Sequence, residues 1–198
     1  MNIRLVILII CLLKVAILPA ESMDNAKLKT LISKEEIAQK IRKVSAQIAR
    51  DYEGKDLVIV MVLKGAICLV ADMIREIDLP LDLQTVQCSS YGALGTKRGE
   101  LTVIGLERLQ IRNRDVLIVD DIFDSGHTMM ALKKELQTLE PRSLKTCVLL
   151  FKEEVPKVSD YRPEYVLFDI QNLFVVGYGL DYKERFRGLS DVCVLDAQ

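Results

Sequence analysis

Apolar residues occur along this chain in two kinds of run that alternate. Nearly unbroken apolar stretches at residues 57–63, 116–119 and 144–151 leave little to face water, so each reads as a strand covered on both faces. Between them the apolar positions return at helical spacing. Ile37, Ile41, Val44 and Ile48 share one face of a helix that opens on a Ser33-to-Glu36 capping box and closes near Arg50. Residues 66–77 predict a mostly apolar helix, and residues 129–139 another, opened by Thr128 and stopped by Pro141. Shorter strands are expected at 82–89, 101–106, 165–168, 174–176 and 192–195. This alternation predicts an α/β fold: a mainly parallel twisted sheet flanked by helices, with ligands beyond the carboxyl ends of its strands. There is no internal repeat, so residues 23–198 read as a single domain.

Two segments fit neither pattern. Residues 91–100 carry three glycines and the adjacent cations Lys97 and Arg98 without apolar periodicity, and are expected to form a mobile loop that acts as a lid. Residues 1–22 contain an apolar run from Leu5 to Leu18 broken by Lys14. It is shorter than the roughly 20 residues that span a bilayer, which leaves a hydrophobic leader or a start at Met23, and the latter is preferred.

Composition narrows the function classes. The chain has 198 residues, half of them hydrophobic, and a formal net charge of −1, with no basic tract to meet a nucleic acid. The five cysteines form no C-x-x-C pair, which argues against a zinc site or a disulfide framework; four of them read as reduced core thiols.

The candidate chemistry lies where the strand at 116–119 ends. Asp120 and Asp121 are followed by Asp124, Ser125, Gly126, His127 and Thr128 and then a helix. Backbone N–H groups in a glycine turn at the positive end of a helix dipole suit a phosphate. Paired carboxylates beside it suit a sugar hydroxyl and a divalent cation. The ligand predicted is a sugar phosphate.

This run resembles the ribose-phosphate signature of the type I phosphoribosyltransferases. Four further pieces narrow the resemblance: Leu63-Lys64-Gly65 after a strand, Ser90-Tyr91 at the loop's start, Lys152 after another strand, and the block from Phe174 to Tyr182 with Phe186 and Arg187 behind it. Together they are similar to the hypoxanthine-guanine phosphoribosyltransferases over residues 32–195. The resemblance implies a small hood above the sheet and transfer of phosphoribosyl from phosphoribosyl pyrophosphate to a 6-oxopurine base, with Mg²⁺ as cofactor. By that resemblance Asp120 and Asp121 hold the ribose hydroxyls, directly or through metal. The Asp124-to-Thr128 amides, with the Ser125 and Thr128 hydroxyls, grip the 5′-phosphate, and His127 contributes its backbone N–H. Asp124 is the general base on the purine's imidazole nitrogen. Lys152 donates to the 6-oxo group, Phe174 stacks on the base and the Val175 backbone meets its other edge. Asp181, beside the base, is similar to the family's second metal ligand. Lys64, the Gly65 peptide and Arg187 bind pyrophosphate, and the peptide before the lysine is often cis. Ser90 and Tyr91 belong to the mobile loop. A homodimer or homotetramer in the cytoplasm is expected, with no membrane or nucleic-acid partner. The chain departs from many relatives at Asp120, where they carry Glu.

Overall fold

The computed structural model describes residues 27–90 and 101–196. The expected leader at 1–22 and the loop residues 91–100, Tyr91 included, lie outside them. The main sheet has six strands in the order β4-β3-β2-β5-β6-β7: β2 (Leu57–Leu63), β3 (Leu81–Ser90), β4 (Leu101–Ile104), β5 (Asp115–Phe123), β6 (Ser143–Lys152) and β7 (Tyr165–Ile170). Every neighbouring pair is parallel except β3 with β4. The helices are α1 (Lys34–Asp51), α2 (Ile67–Glu76) and α3 (His127–Gln137), close to their predicted bounds.

The unbroken apolar runs are explained by a cover on each face. Leu57, Ile59, Met61, Leu117, Val119 and Leu149 pack with Ile37, Ile41, Val44 and Ile48 of α1 and Leu69 and Met73 of α2. The alternate residues Val58, Val60, Val62, Val116, Ile118 and Val148 pack with Met129, Leu132 and Leu136 of α3. Strand periodicity thus sends successive side chains to opposite helical layers, and neither set can be polar. The capping box forms: Glu36 N–H donates to Ser33 Oγ at 3.3 Å, and Ser33 N–H to a Glu36 carboxylate oxygen at 2.9 Å.

Chain order reverses at β2, whose neighbours are β3 on one side and β5 on the other. Helix α2 leads away to β3 and α3 leads from β5 to β6, so the connections part above the carboxyl ends of β2 and β5. Such a divergence leaves a crevice at the strand ends.

A second sheet, order β1-β9-β8 and fully antiparallel, forms the small hood from β1 (Lys27–Ile32), β8 (Val175–Val176) and β9 (Val192–Asp196). Strand β1 was not among the predicted elements; it pairs Leu28 with Leu195 and Thr30 with Cys193. Its Leu28 and Leu31 stay exposed, so it carries no strong apolar alternation. Other boundaries move. The motif strand runs on to Phe123, placing both acids inside the ladder, where Asp120 pairs with Val148. The strand expected at 101–106 stops at Ile104, and Leu106–Arg108 is a short 3-10 turn after left-handed Gly105. Cys68, Cys88, Cys147 and Cys193 are free thiols, as expected. Among the described residues no helix is long and apolar enough to cross a membrane.

Candidate active site

A cleft of about 240 Å³ opens over the ends of β2, β3 and β5, lined by Val62, Leu63, Cys88 and the continuous run Asp120 to Met129. Its floor is the predicted anion loop. Gly126 caps α3 with φ 86° and, as a glycine, offers the first helical turn no side-chain hydrogen bond. A Cβ at Gly126 would lie 2.7 Å from the Phe123 ring, so both backbone and packing require glycine there. The first-turn amides and the helix dipole therefore face the cleft as a phosphate cradle. Ser125 and Thr128 border it, and exposed His127 opens the helix. The loop is braced from outside where Val158 N–H donates to the Ser125 carbonyl at 3.1 Å.

The acid pair sits above this cradle. Asp120 is 7 % exposed, and its carboxylate accepts the Asp121 N–H at 2.9 Å; Asp121 in turn accepts the Ile122 N–H at 2.9 Å. Burial first, then the Asp121 charge, pushes Asp120 well above the ordinary carboxylate range. Asp121 is also raised by burial, with hydrogen bonds and the nearby Arg187 opposing. Burial and the Asp120 charge push the neighbouring Cys88 thiol up to about 12, so it stays protonated. Two carboxylates this close repel when both ionise. Their oxygens form a hard donor set suited to Mg²⁺, which commonly takes one or two carboxylates and completes its shell with water and phosphate oxygens. Among the described residues no three His, Cys, Asp or Glu side chains form a complete metal cage, so such an ion would need oxygens from substrate or water.

The raised affinity for a proton has a stability consequence. An acid that binds its proton more tightly in the folded state stabilises the fold at low pH and loses that contribution as pH rises from the unfolded value near 4 towards the folded one. Asp120→Asn keeps the acceptor for the Asp121 N–H and removes the buried charge. It is expected to raise the thermal midpoint by about 2–8 °C at neutral pH, with the gain shrinking towards pH 4. Calorimetry across that range checks it, and a gain that grows on acidification would contradict it.

Asp120 and Asp121 meet the other predicted residues through glycine contacts. The Leu63–Lys64 peptide is cis, and the following Gly65 lies against Asp121: an added Cβ would fall 1.7 Å from Asp121 Oδ2. On its other side, a Cβ at Gly179 would fall 2.1 Å from the Gly65 carbonyl oxygen. Acid pair, β2 turn and hood are thus stacked with no room for a methyl group. Tyr178 reinforces the junction by donating its hydroxyl to Asp72 of α2 at 2.5 Å.

At the other end of the loop, Lys152 closes β6 and is nearly buried, with Nζ 3.4 Å from Asp124 Oδ2 and 3.4 Å from Asn172 Oδ1. Asp124 is half exposed. Asn172, absent from the sequence-derived site, thereby joins the lysine to the segment that carries Phe174. Phe174 is 53 % exposed and meets Tyr182 edge to face at 5.6 Å, which leaves it a projecting aromatic surface. Val175 is buried in β8. In the hood turn Asp181 accepts from Arg187 Nη2 at 2.7 Å and from the Glu184 N–H at 2.8 Å. Lys64 Nζ pairs with Glu184 at 3.0 Å. Ser90 ends β3, and its side chain lies outside the described set.

Comparison with known proteins agrees with this fold. The sequence model of the phosphoribosyl transferase domain family matches residues 28–183. A hypoxanthine-guanine phosphoribosyltransferase of Mycobacterium avium is 40 % identical over 184 residues, 90 % of each chain. One from Mycobacterium tuberculosis is 41 % identical over 172 residues, 84 % of this chain and 85 % of that one. Among solved structures, a Bacillus anthracis hypoxanthine-guanine phosphoribosyltransferase superposes with a TM-score of 0.79 at 37 % identity, covering 85 % of this chain and 99 % of that one. A Trypanosoma cruzi hypoxanthine phosphoribosyl transferase gives 0.78 at 38 % identity, covering 84 % and 90 %. In sequence and in fold, this chain belongs to the phosphoribosyltransferase family, within its hypoxanthine-guanine branch.

Proposed function

We propose that this enzyme transfers 5-phosphoribosyl from phosphoribosyl pyrophosphate to hypoxanthine and guanine, giving IMP and GMP and releasing pyrophosphate, with Mg²⁺ as cofactor. The observation that carries the reading is the adjacency of Lys152 and Asp124, 3.4 Å apart beside the phosphate cradle. A 6-oxopurine presents its carbonyl acceptor and its imidazole nitrogen along one edge. A cationic donor next to a carboxylate matches that edge, while an adenine amino group would leave the ammonium without an acceptor.

The roles are those that the family resemblance implies for these residues. The first turn of α3 takes the 5′-phosphate, with Ser125 and Thr128 hydroxyls at its border. Asp120 and Asp121 take the ribose hydroxyls and would hold one Mg²⁺; Asp181 would meet a second beside pyrophosphate. Bound there, Mg²⁺ supplies charge neutralisation of the leaving pyrophosphate. Lys64, the Gly65 peptide and Arg187 bind the same leaving group. Phe174 stacks on the base, held by the Val175 backbone. Asp124 accepts the imidazole proton as the glycosidic bond forms. Little covalent assistance is needed, because the ribose passes through a cation-like state that positioning and fixed charges stabilise. A cytoplasmic homo-oligomer without a nucleic-acid or membrane partner is the proposed setting.

The deciding assay supplies phosphoribosyl pyrophosphate, Mg²⁺ and one purine at a time. Nucleotide is expected from hypoxanthine and guanine, with adenine slower by about 10⁴-fold, and a chelator should stop the reaction. Comparable use of adenine, or silence with every base, would overturn the assignment.

A further inference from the structure

One carboxylate outside the assigned site joins both of its pyrophosphate-binding cations. Glu184 Oε1 lies 3.0 Å from Lys64 Nζ, and Glu184 Oε2 lies 3.3 Å from Arg187 Nη2. Lys64 follows β2 in the main sheet, whereas Arg187 and Glu184 belong to the hood turn, so the contact ties two separate elements together. The turn is built to present this side chain. Lys183 and Glu184 are consecutive left-handed residues at φ 51° and 62°, and Phe186 follows at 69°. Non-glycine residues keep such a conformation only where the surroundings enforce it. Here they do: Glu184 N–H donates to Asp181 Oδ2 at 2.8 Å, and Tyr182 and Arg185 exchange backbone bonds of 3.1 and 3.0 Å.

Two oxygens on one planar carboxylate, one against an ammonium and one against a guanidinium, reproduce the contacts that two oxygens of a phosphoryl group would make. We propose that Glu184 is an internal surrogate for pyrophosphate: it holds Lys64 and Arg187 between the β2 turn and the hood turn, yields them to the incoming pyrophosphate group, and reclaims them as pyrophosphate leaves. The idea rests on the pyrophosphate site proposed above and adds to it a competitor within the chain. Arg187 remains anchored by Asp181 at 2.7 Å and by the Gly179 carbonyl when Glu184 swings away, so the site does not collapse. A displaceable anion of this kind weakens pyrophosphate binding and thereby speeds its release.

The test is Glu184→Gln, which keeps the shape and removes the charge, with Glu184→Asp as the charge-retaining partner. Pyrophosphate inhibition and the KM for phosphoribosyl pyrophosphate are measured with Mg²⁺ present, together with the KM for hypoxanthine. In the Gln variant the pyrophosphate inhibition constant and the KM for phosphoribosyl pyrophosphate are expected to fall about three- to tenfold, and the KM for hypoxanthine to stay within about twofold. The Asp variant should remain close to wild type. An inhibition constant that is unchanged in the Gln variant would show that Glu184 does not compete. One that rises would assign it instead as an anchor for the cations, and either result overturns the proposal. Failure of the underlying functional reading looks different, because wild-type protein would then form no nucleotide at all.

Discussion

Asp124→Asn is expected to lower kcat by about 10²–10⁴-fold while leaving the KM for phosphoribosyl pyrophosphate within about threefold. The reason is positional. Asp124 begins the phosphate loop with a half-exposed carboxylate whose recorded partner is Lys152 at 3.4 Å. It does not shape the cradle, which is built from the Gly126 turn and backbone amides. Asparagine fills the same volume and can still face the base, but it cannot accept the imidazole proton. Steady-state kinetics with hypoxanthine, combined with nucleotide binding by calorimetry, separates these effects: turnover should collapse while IMP affinity stays near wild type. Turnover close to wild type would remove Asp124 from the chemistry and leave it as a turn residue.

Gly65→Ala is expected to lower kcat/KM for phosphoribosyl pyrophosphate by about 100-fold or more, because misplacement on the ångström scale at a reacting centre is that costly. The added methyl group would lie 1.7 Å from Asp121 Oδ2, well inside contact distance. Neither side can yield cheaply. Asp121 sits in the β5 ladder with its carboxylate tied to the Ile122 N–H, and the Gly65 carbonyl is already pressed against Gly179. Relief must come from moving the acid pair or the Lys64 turn, and both belong to the proposed ribose and pyrophosphate contacts. Gly188→Ala is the matched control, since a Cβ there meets nothing within 4 Å. It should keep activity within about twofold. If Gly65→Ala retained wild-type kcat/KM, the stacked contact would not bear on catalysis.

The two residues differ in how far the sequence alone could expose them. Asp124 was visible because its neighbours are its functional partners: strand, acids, glycine turn and helix follow one another within a dozen positions, and the phosphate cradle is local backbone geometry. Gly65 was visible only as a flexible peptide beside a lysine. That it must be glycine depends on Asp121 and Gly179, which are distant in the chain and meet only after β2, β5 and the hood are assembled. Asn172 and Glu184 were missed for the same reason. Each is a common surface residue in a polar stretch, and its meaning comes from cations that other elements deliver.

Hydrophobic patterning by itself determined the layered α/β architecture, because a strand with no polar face can be stable only between two covers, and this chain supplies helices at the right intervals. Spacing within the Asp120–Thr128 run likewise determined a glycine turn and helix start at a strand end, the proposed phosphate site. Only the tertiary structure decided that β1 closes the hood from the far end of the chain, that the acid pair lies inside β5, and that three tightly stacked segments define the proposed pyrophosphate end. Patterning reports which surfaces must leave water; it carries no record of which distant polar groups will face one another once they have done so.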